Sequence, residues 1–265
     1  MTDRGTPSDV PALALRGVGR RFGGLVAVAD VTLGVAPGER RAILGPNGAG
    51  KTTLFNLIAG DIRPTSGAVA LFGQDVTRLP PHRRIRRGIA RTYQTALLFD
   101  GLTVADNLYL ALRGAGRGRM GMVRPGPADR LRARARELAA EVGLASAIAT
   151  PVAALSHGER RQLDLGMALA PRPRLLMLDE PAAGLSPGER GRLTELLVGL
   201  DPGITVLLIE HDMDVALRVA DAVTVMHDGR IIADGRPEEI RASKIVQDVY
   251  LGRVGAERDA GDPRP

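Results

Sequence analysis

The sequence predicts an α/β fold around a mostly parallel sheet, and three observations carry that expectation. A short apolar strand, RRAIL, runs into the glycine-rich stretch GPNGAGK and then into the helical TTLFNLIAG. Two further runs, RLLMLDE and ITVLLIEHD, have the unbroken hydrophobicity of strands buried on both faces. A helix start at SPGER separates them, so strand and helix alternate as a parallel sheet requires.

The elements follow in order. LALRGVGRRF and LVAVADVTLGV read as β-rich, and APGER as the turn before RRAIL. The helix TTLFNLIAG is closed by Gly60, the residue type that ends helices in the left-handed conformation. From Thr103 to about Ala170 the pattern is mainly helical. It opens at TVADNLYLAL with Thr103 as cap and Asp106 three residues on, then crosses the Gly/Pro-rich break GAGRGRMGMVRPGP. Ser156 and Glu159 form an S-x-x-E capping box, and Ser186 to Glu189 a second one with Pro187 at the first helical position. The folded domain is expected over residues 11–252, with a helical insert at about 96–165. The ends, 1–9 and 255–265, read as disordered tails.

Composition excludes several classes. With no cysteine among 265 residues there is no disulfide framework and no thiolate nucleophile, and His82, His157, His211 and His227 lack metal-ligand spacing. No apolar run reaches the roughly 18 residues of a membrane-spanning helix, and the N-terminal stretch lacks a signal-peptide core, which points to the cytoplasm. A net charge of +6 suits nucleic acid or an anionic membrane surface. However, the three Tyr and four Phe are scattered rather than interleaved with basic runs, so no nucleic-acid stacking platform is expected. Almost all the positive charge is Arg, with Lys only at Lys51 and Lys244. The Arg-rich HRRIRRGIAR and the region 113–136 read as solvated helix faces, or as contacts to lipid headgroups or a membrane partner.

The chemistry starts at Gly45 to Thr52, which fits G-x-x-x-x-G-K-T. Gly45, Gly48 and Gly50 let backbone N–H groups curl around phosphates, Lys51 reaches the β- and γ-phosphates, and the Thr52 hydroxyl takes a Mg²⁺ position. LLMLDE supplies the complement: a buried strand ending in Asp179, placed for Mg²⁺ through water, and Glu180, placed to polarise an attacking water. His211, after ITVLLIE, is the candidate to contact the γ-phosphate and that water. LSHGERRQ poses a separate question. A helix N-terminus with a Ser hydroxyl and a Gly amide is a second anion site, and one nucleotide already has its cradle. The second site makes sense if it faces the γ-phosphate held by another copy.

These residues together resemble the nucleotide-binding subunit of an ABC transporter, over essentially the whole of 13–252. The resemblance implies a P-loop NTPase (RecA-like) core with an antiparallel β subdomain and an inserted α-helical subdomain. It makes GPNGAGKT the Walker A motif, with nucleotide contacts from Gly45, Pro46, Asn47, Gly48, Ala49, Gly50, Lys51, Thr52 and Thr53, and Phe22 stacking on adenine. LLMLDE becomes Walker B, with Glu180 the catalytic carboxylate. Gln94 becomes the Q-loop glutamine at the metal beside Thr52 and Asp179, and His211 the switch histidine. Leu155, Ser156, His157, Gly158 and Glu159 become the signature, and Ala183, Gly184, Leu185 and Ser186 the D-loop. It further implies ATP and Mg²⁺ as cofactors and a head-to-tail dimer with a second ATPase subunit. Each ATP lies between Walker A of one chain and the signature of the other. Three positions depart from the family's usual residues: His157, Glu159, and Ser186 where Asp is common.

FGGLVAV, LPPHRRIRRGIARTYQ, IEHDMDVALRVAD and VYLG are similar to ATPase subunits of branched-chain amino acid importers. LSHGERRQLDLGM also resembles urea and short-chain amide importers, and a lipid or glycolipid exporter would use the same engine. The partners implied are two transmembrane permeases gripped through the helical insert and TALLF, and, indirectly, an extracytoplasmic solute-binding protein. The chain would then sit at the cytoplasmic face of the membrane. A P-loop kinase or GTPase shares Gly45 to Thr52 but has no use for LSHGE, and soluble ABC ATPases of nucleic acid or the ribosome usually carry paired modules or long arms.

Overall fold

The computed structural model describes residues 10–92, 98–115 and 128–250. The expected tails, Gln94 and most of the Gly/Pro-rich break lie outside them. The elements in chain order are β1 (Leu13–Phe22), β2 (Leu25–Val35), β3 (Arg40–Leu44), α1 (Lys51–Ala59), β4 (Ser66–Leu71), β5 (Gln74–Asp75), α2 (Pro81–Ile85), β6 (Ile89–Arg91), α3 (Val104–Ala115) and α4 (Ala128–Glu141). After a 3₁₀ turn come α5 (His157–Leu169), β7 (Leu175–Asp179), α6 (Pro187–Val198), β8 (Thr205–Ile209), α7 (Met213–Val219), β9 (Ala222–His227), β10 (Arg230–Gly235), α8 (Pro237–Ala242) and α9 (Lys244–Tyr250). They form two compact units, residues 88–201 and the chain on either side of that span.

In the unit made of both chain ends, β1 is the centre of an antiparallel sheet in the order β2-β1-β4-β5. Alongside it, β3 pairs in parallel with β8 on one side and β9 on the other, and β10 adds antiparallel to β9. Every residue of β8 and all but the first of β3 are buried, which is why both read as continuous apolar runs. Ala42 and Leu44 pack with Ala216, Val223, Val225, Ile240 and Val246 into one core. Helix α1 buries Leu54, Phe55, Leu57 and Ile58 and ends at Gly60, whose φ of 89° is left-handed as expected of that cap.

In the basic stretch HRRIRRGIAR, His82, Arg83, Arg86 and Arg87 are exposed as the solvated-face reading expects, and Arg84 and Arg91 depart from it. Arg84 is 1% exposed, and its guanidinium donates to the carbonyls of Leu57 and Ile58 in the last turn of α1 and of Thr77 and Leu79. Burial outweighs nearby carboxylates and pulls its pKa down to about 10.

The other unit, residues 88–201, contains the stretch expected as a helical insert. Strands β6 and β7 pair in parallel, with Arg91 opposite Met177. Asp106 donates its amide to the Thr103 hydroxyl at the start of α3, as the cap reading expects. Both capping boxes form: Ser156 and Glu159 close the start of α5, and Ser186 and Glu189 the start of α6. Among the described residues no helix is long and apolar enough to cross a membrane.

Candidate nucleotide site

Buried β3 delivers the chain to Gly45, and α1 begins six residues later at Lys51. Gly45 has a φ of 147°, and a Cβ there would lie 2.2 Å from the Met226 carbonyl oxygen, so only glycine fits this turn. The helix starts from Gly50, which has no side chain to cap the first turn, a helix start of the kind that suits an anion. Asn47, Gly48 and Thr52 are exposed, Pro46, Gly50 and Thr53 half-buried, and Ala49 buried. Lys51 is 5% exposed and donates to the carbonyls of Gly45 at 2.6 Å and Pro46 at 2.9 Å. The ammonium is thus held inside the curl of the loop.

In the β3–β8 ladder Ile43 faces Ile209. Gly45 and His211 each lie two residues beyond those partners, at the same carboxyl edge of neighbouring parallel strands, where α/β sheets bind ligands. His211 is exposed, and its amide donates to the carboxylate of buried Glu210. Phe22 ends β1, 45% exposed, with the Arg20 guanidinium 4.4 Å above one face of its ring. One contact to the loop was not legible in the sequence: the Gly45 amide donates to the Tyr250 hydroxyl at 3.0 Å. Tyr250 closes α9, and burial raises its pKa despite that bond.

In residues 88–201, β7 carries Asp179 at its end, 1% exposed. Its carboxylate accepts from Arg91 at 2.9 Å, and its amide donates to the Thr92 hydroxyl at 3.4 Å. Burial of a carboxylate is tolerated because a buried cation faces it. Glu180 is half-buried at a φ of 50°, a left-handed conformation rare for a residue with a Cβ. The turn after it places Ala183 and Gly184 in the open and Leu185 in the core.

The S-x-x-E helix follows. Leu155 is buried, Ser156 accepts from the Glu159 amide at 3.2 Å, and Glu159 accepts from the Ser156 amide at 2.8 Å. His157 lies 3.4 Å from the Ala183 carbonyl through Nε2. The Gly158 amide donates to the Glu189 carboxylate at 3.0 Å. Gln94 lies outside the described residues, so its place at the metal stays an expectation.

The oxygen donors present suit Mg²⁺. Thr52 in one unit carries a hydroxyl and Asp179 in the other a carboxylate, each a type of donor this ion takes, and among the described residues no group of three or more His, Cys, Asp or Glu gathers as a dedicated cage. A hard cation of this kind is commonly held by one or two protein oxygens, substrate phosphates and water.

A glycine-curled loop opening a helix, a buried acidic strand end and a serine-capped helix define an ATP-binding cassette. The chain belongs to the ABC transporter family, whose model matches residues 28–183, and it is an ATPase. A narrower model, the branched-chain amino acid ATP-binding cassette transporter, matches residues 230–256. The chain is similar to the high-affinity branched-chain amino acid transport ATP-binding protein BraF of Pseudomonas aeruginosa. They are 40% identical over 252 residues, spanning 92% of this chain and 99% of BraF. Its fold matches the ADP conformation of MJ1267, an ATP-binding cassette of an ABC transporter, with a TM-score of 0.82, 29% identity and coverage of 91% and 99%. It also matches the dimeric post-hydrolysis cassette MJ0796 bound to ADP and phosphate, with a TM-score of 0.73, 27% identity and coverage of 85% and 98%.

Proposed function

We propose that the chain is the ATP-hydrolysing subunit of an importer of branched-chain or other hydrophobic amino acids. The observation that carries this reading is the likeness to BraF across nearly both whole chains. The branched-chain model at the C-terminal end supports it. The partners would be a second ATPase subunit, two permeases and, through them, an extracytoplasmic solute-binding protein. The chain would lie on the cytoplasmic face of the membrane. Its motifs serve a nucleotide rather than an amino acid, so it would supply energy while other chains choose the solute.

In this reading the amides of Gly48 to Thr52 and the Lys51 ammonium take the phosphates, and Phe22 takes the adenine through the ring face opposite Arg20. Lys51 exchanges its two carbonyls for phosphate oxygens. Thr52, Asp179 and Gln94 would hold Mg²⁺, which would supply charge stabilisation at the γ-phosphate. Glu180 accepts the proton of the attacking water, and His211 keeps the γ-phosphate in line. Ser156 and Gly158 of one chain meet the nucleotide held by the other, with Ala183 to Ser186 nearby.

Glu180→Gln should cut turnover by about 100-fold or more while ATP binding persists, as loss of a general base predicts. Hydrolysis at the native rate by the Glu180→Gln chain would remove Glu180 from that role. For the solute, uptake of labelled leucine by cells lacking the chain should return with the native chain and not with Lys51→Ala. Unchanged leucine, isoleucine and valine uptake on deletion would refute the import reading.

A further inference from the structure

The Glu189 carboxylate does more than a capping box needs. Through one oxygen it accepts from the Ser186 amide at 3.1 Å and the Ser186 hydroxyl at 2.7 Å, and those bonds complete the cap of α6. Its other oxygen leaves that helix and accepts from the Gly158 amide of α5 at 3.0 Å. These contacts, Ser186 first and then the Gly158 amide, with a smaller influence from nearby Ser156, hold its pKa down to about 2. It is an anion throughout the physiological range. One carboxylate therefore answers the positive ends of two helices.

Gly158 is shaped for that contact. A Cβ at this position would lie 2.7 Å from Oε1 and 2.8 Å from Cγ of Glu189, so any side chain would push the carboxylate away. Ser156 and Gly158 are also the two groups that the proposed function gives to the γ-phosphate of a partner's ATP. An amide has one proton and cannot fully serve two anions. A phosphate brought to the same donors while Glu189 stays would also meet a like charge at close range.

We infer that Glu189 is a positioning residue that stands in for the γ-phosphate, keeping the signature donors aimed and charge-compensated until a partner's triphosphate displaces it. The inference rests on the reading that the signature serves a neighbour's nucleotide. It adds a reason for discrimination between ATP and ADP. Displacement needs an anion that reaches both Ser156 and Gly158, which the γ-phosphate can do. A diphosphate lacks that group, so after hydrolysis Glu189 returns and the signature releases.

The test uses the full chain with Glu180→Gln, which keeps ATP intact, and measures ATP-driven dimerisation by sedimentation equilibrium. Glu189→Gln keeps a box-compatible side chain but removes the competing charge. It should tighten the ATP-bound dimer by about 3- to 10-fold, the difference between a charge-assisted and a neutral bond. Affinity of the monomer for ATP should not change. A dimer constant equal to or weaker than that of the parent overturns the inference, including the case where Glu189→Gln only lowers thermal stability. Ser156→Arg in the same background separates the two levels. If it dimerises like the parent, the signature reading fails and this inference with it. If it abolishes dimerisation while Glu189→Gln changes nothing, only the stand-in role falls.

Discussion

Replacing Arg84 with methionine tests the most unexpected support of α1, the helix that follows the phosphate loop. Four carbonyls would lose their donor at once: Leu57 and Ile58 at 2.6 and 2.7 Å, Leu79 at 2.9 Å and Thr77 at 3.1 Å. Methionine restores the bulk of the side chain but none of the bonds. A hydrogen bond contributes about 1 kcal/mol net and more when one partner is charged. The guanidinium, however, is 1% exposed with a depressed pKa, so removing it also lifts a desolvation cost of several kcal/mol. The carbonyls stay behind in a dry site, and the balance should destabilise this unit by about 2–4 kcal/mol. Hydrogen exchange under mild urea, read on peptides covering residues 51–60, reports the opening of α1 directly. Arg84→Lys should recover part of the loss, because an ammonium reaches fewer of the four carbonyls than a planar fork. With a folded-state pKa of about 10, the loss should be flat from pH 6 to 8. A change below about 0.5 kcal/mol, or a gain, would show that the buried charge and its bonds merely cancel.

The remaining predictions concern single contacts. Tyr250→Phe frees the Gly45 amide and should weaken ATP binding by about 2- to 10-fold with the fold intact, measured by titration with a fluorescent ATP analogue. Arg91→Met strips the buried Asp179 of its ion-pair cation and should cost about 2–4 kcal/mol, with Asp179→Asn in the same chain recovering much of it in a double-mutant cycle. Asp164, in α5 against Leu178 and Pro181, has its pKa raised by burial to about 6, Arg161 opposing the shift. Its folded pKa exceeds the ordinary value of 3.8, so the unfolded chain binds fewer protons between about pH 4 and 6 and stability falls as pH rises through that window. Asp164→Asn should therefore raise the melting temperature at pH 8 and lose that advantage near pH 4. Equal gains at both pH values would contradict the assignment.

What the sequence made legible was local or periodic. RRAIL, LLMLD and the run ending in Ile209 announce buried strands because both faces are covered, and their unbroken apolar character needs no partner to be read. Ser156 and Ser186 announce helix starts because a box is closed within four residues. Arg84 and Arg91 were illegible for the opposite reason. An arginine looks the same in a sequence whether water or buried oxygens receive its protons, and the receivers of Arg84 lie on α1 and on the loop after β5. The Tyr250 contact spans 205 residues and the Glu189 contact 31, separations at which topology rather than pattern decides who meets. Local spacing signalled the candidate site's backbone cradle; it did not signal the side chains that brace it.

The scarcity of lysine has a practical consequence. Lys51 is shut inside the loop with its ammonium on two carbonyls, whereas Lys244 stands exposed at the head of α9. Amine-reactive dyes should therefore settle on Lys244 and the chain's amino terminus. One cysteine introduced into this thiol-free sequence would then give an orthogonal second colour. A dye on Lys244 would sit on α9, the helix that also carries Tyr250, and so report on the contact between that helix and the Gly45 loop.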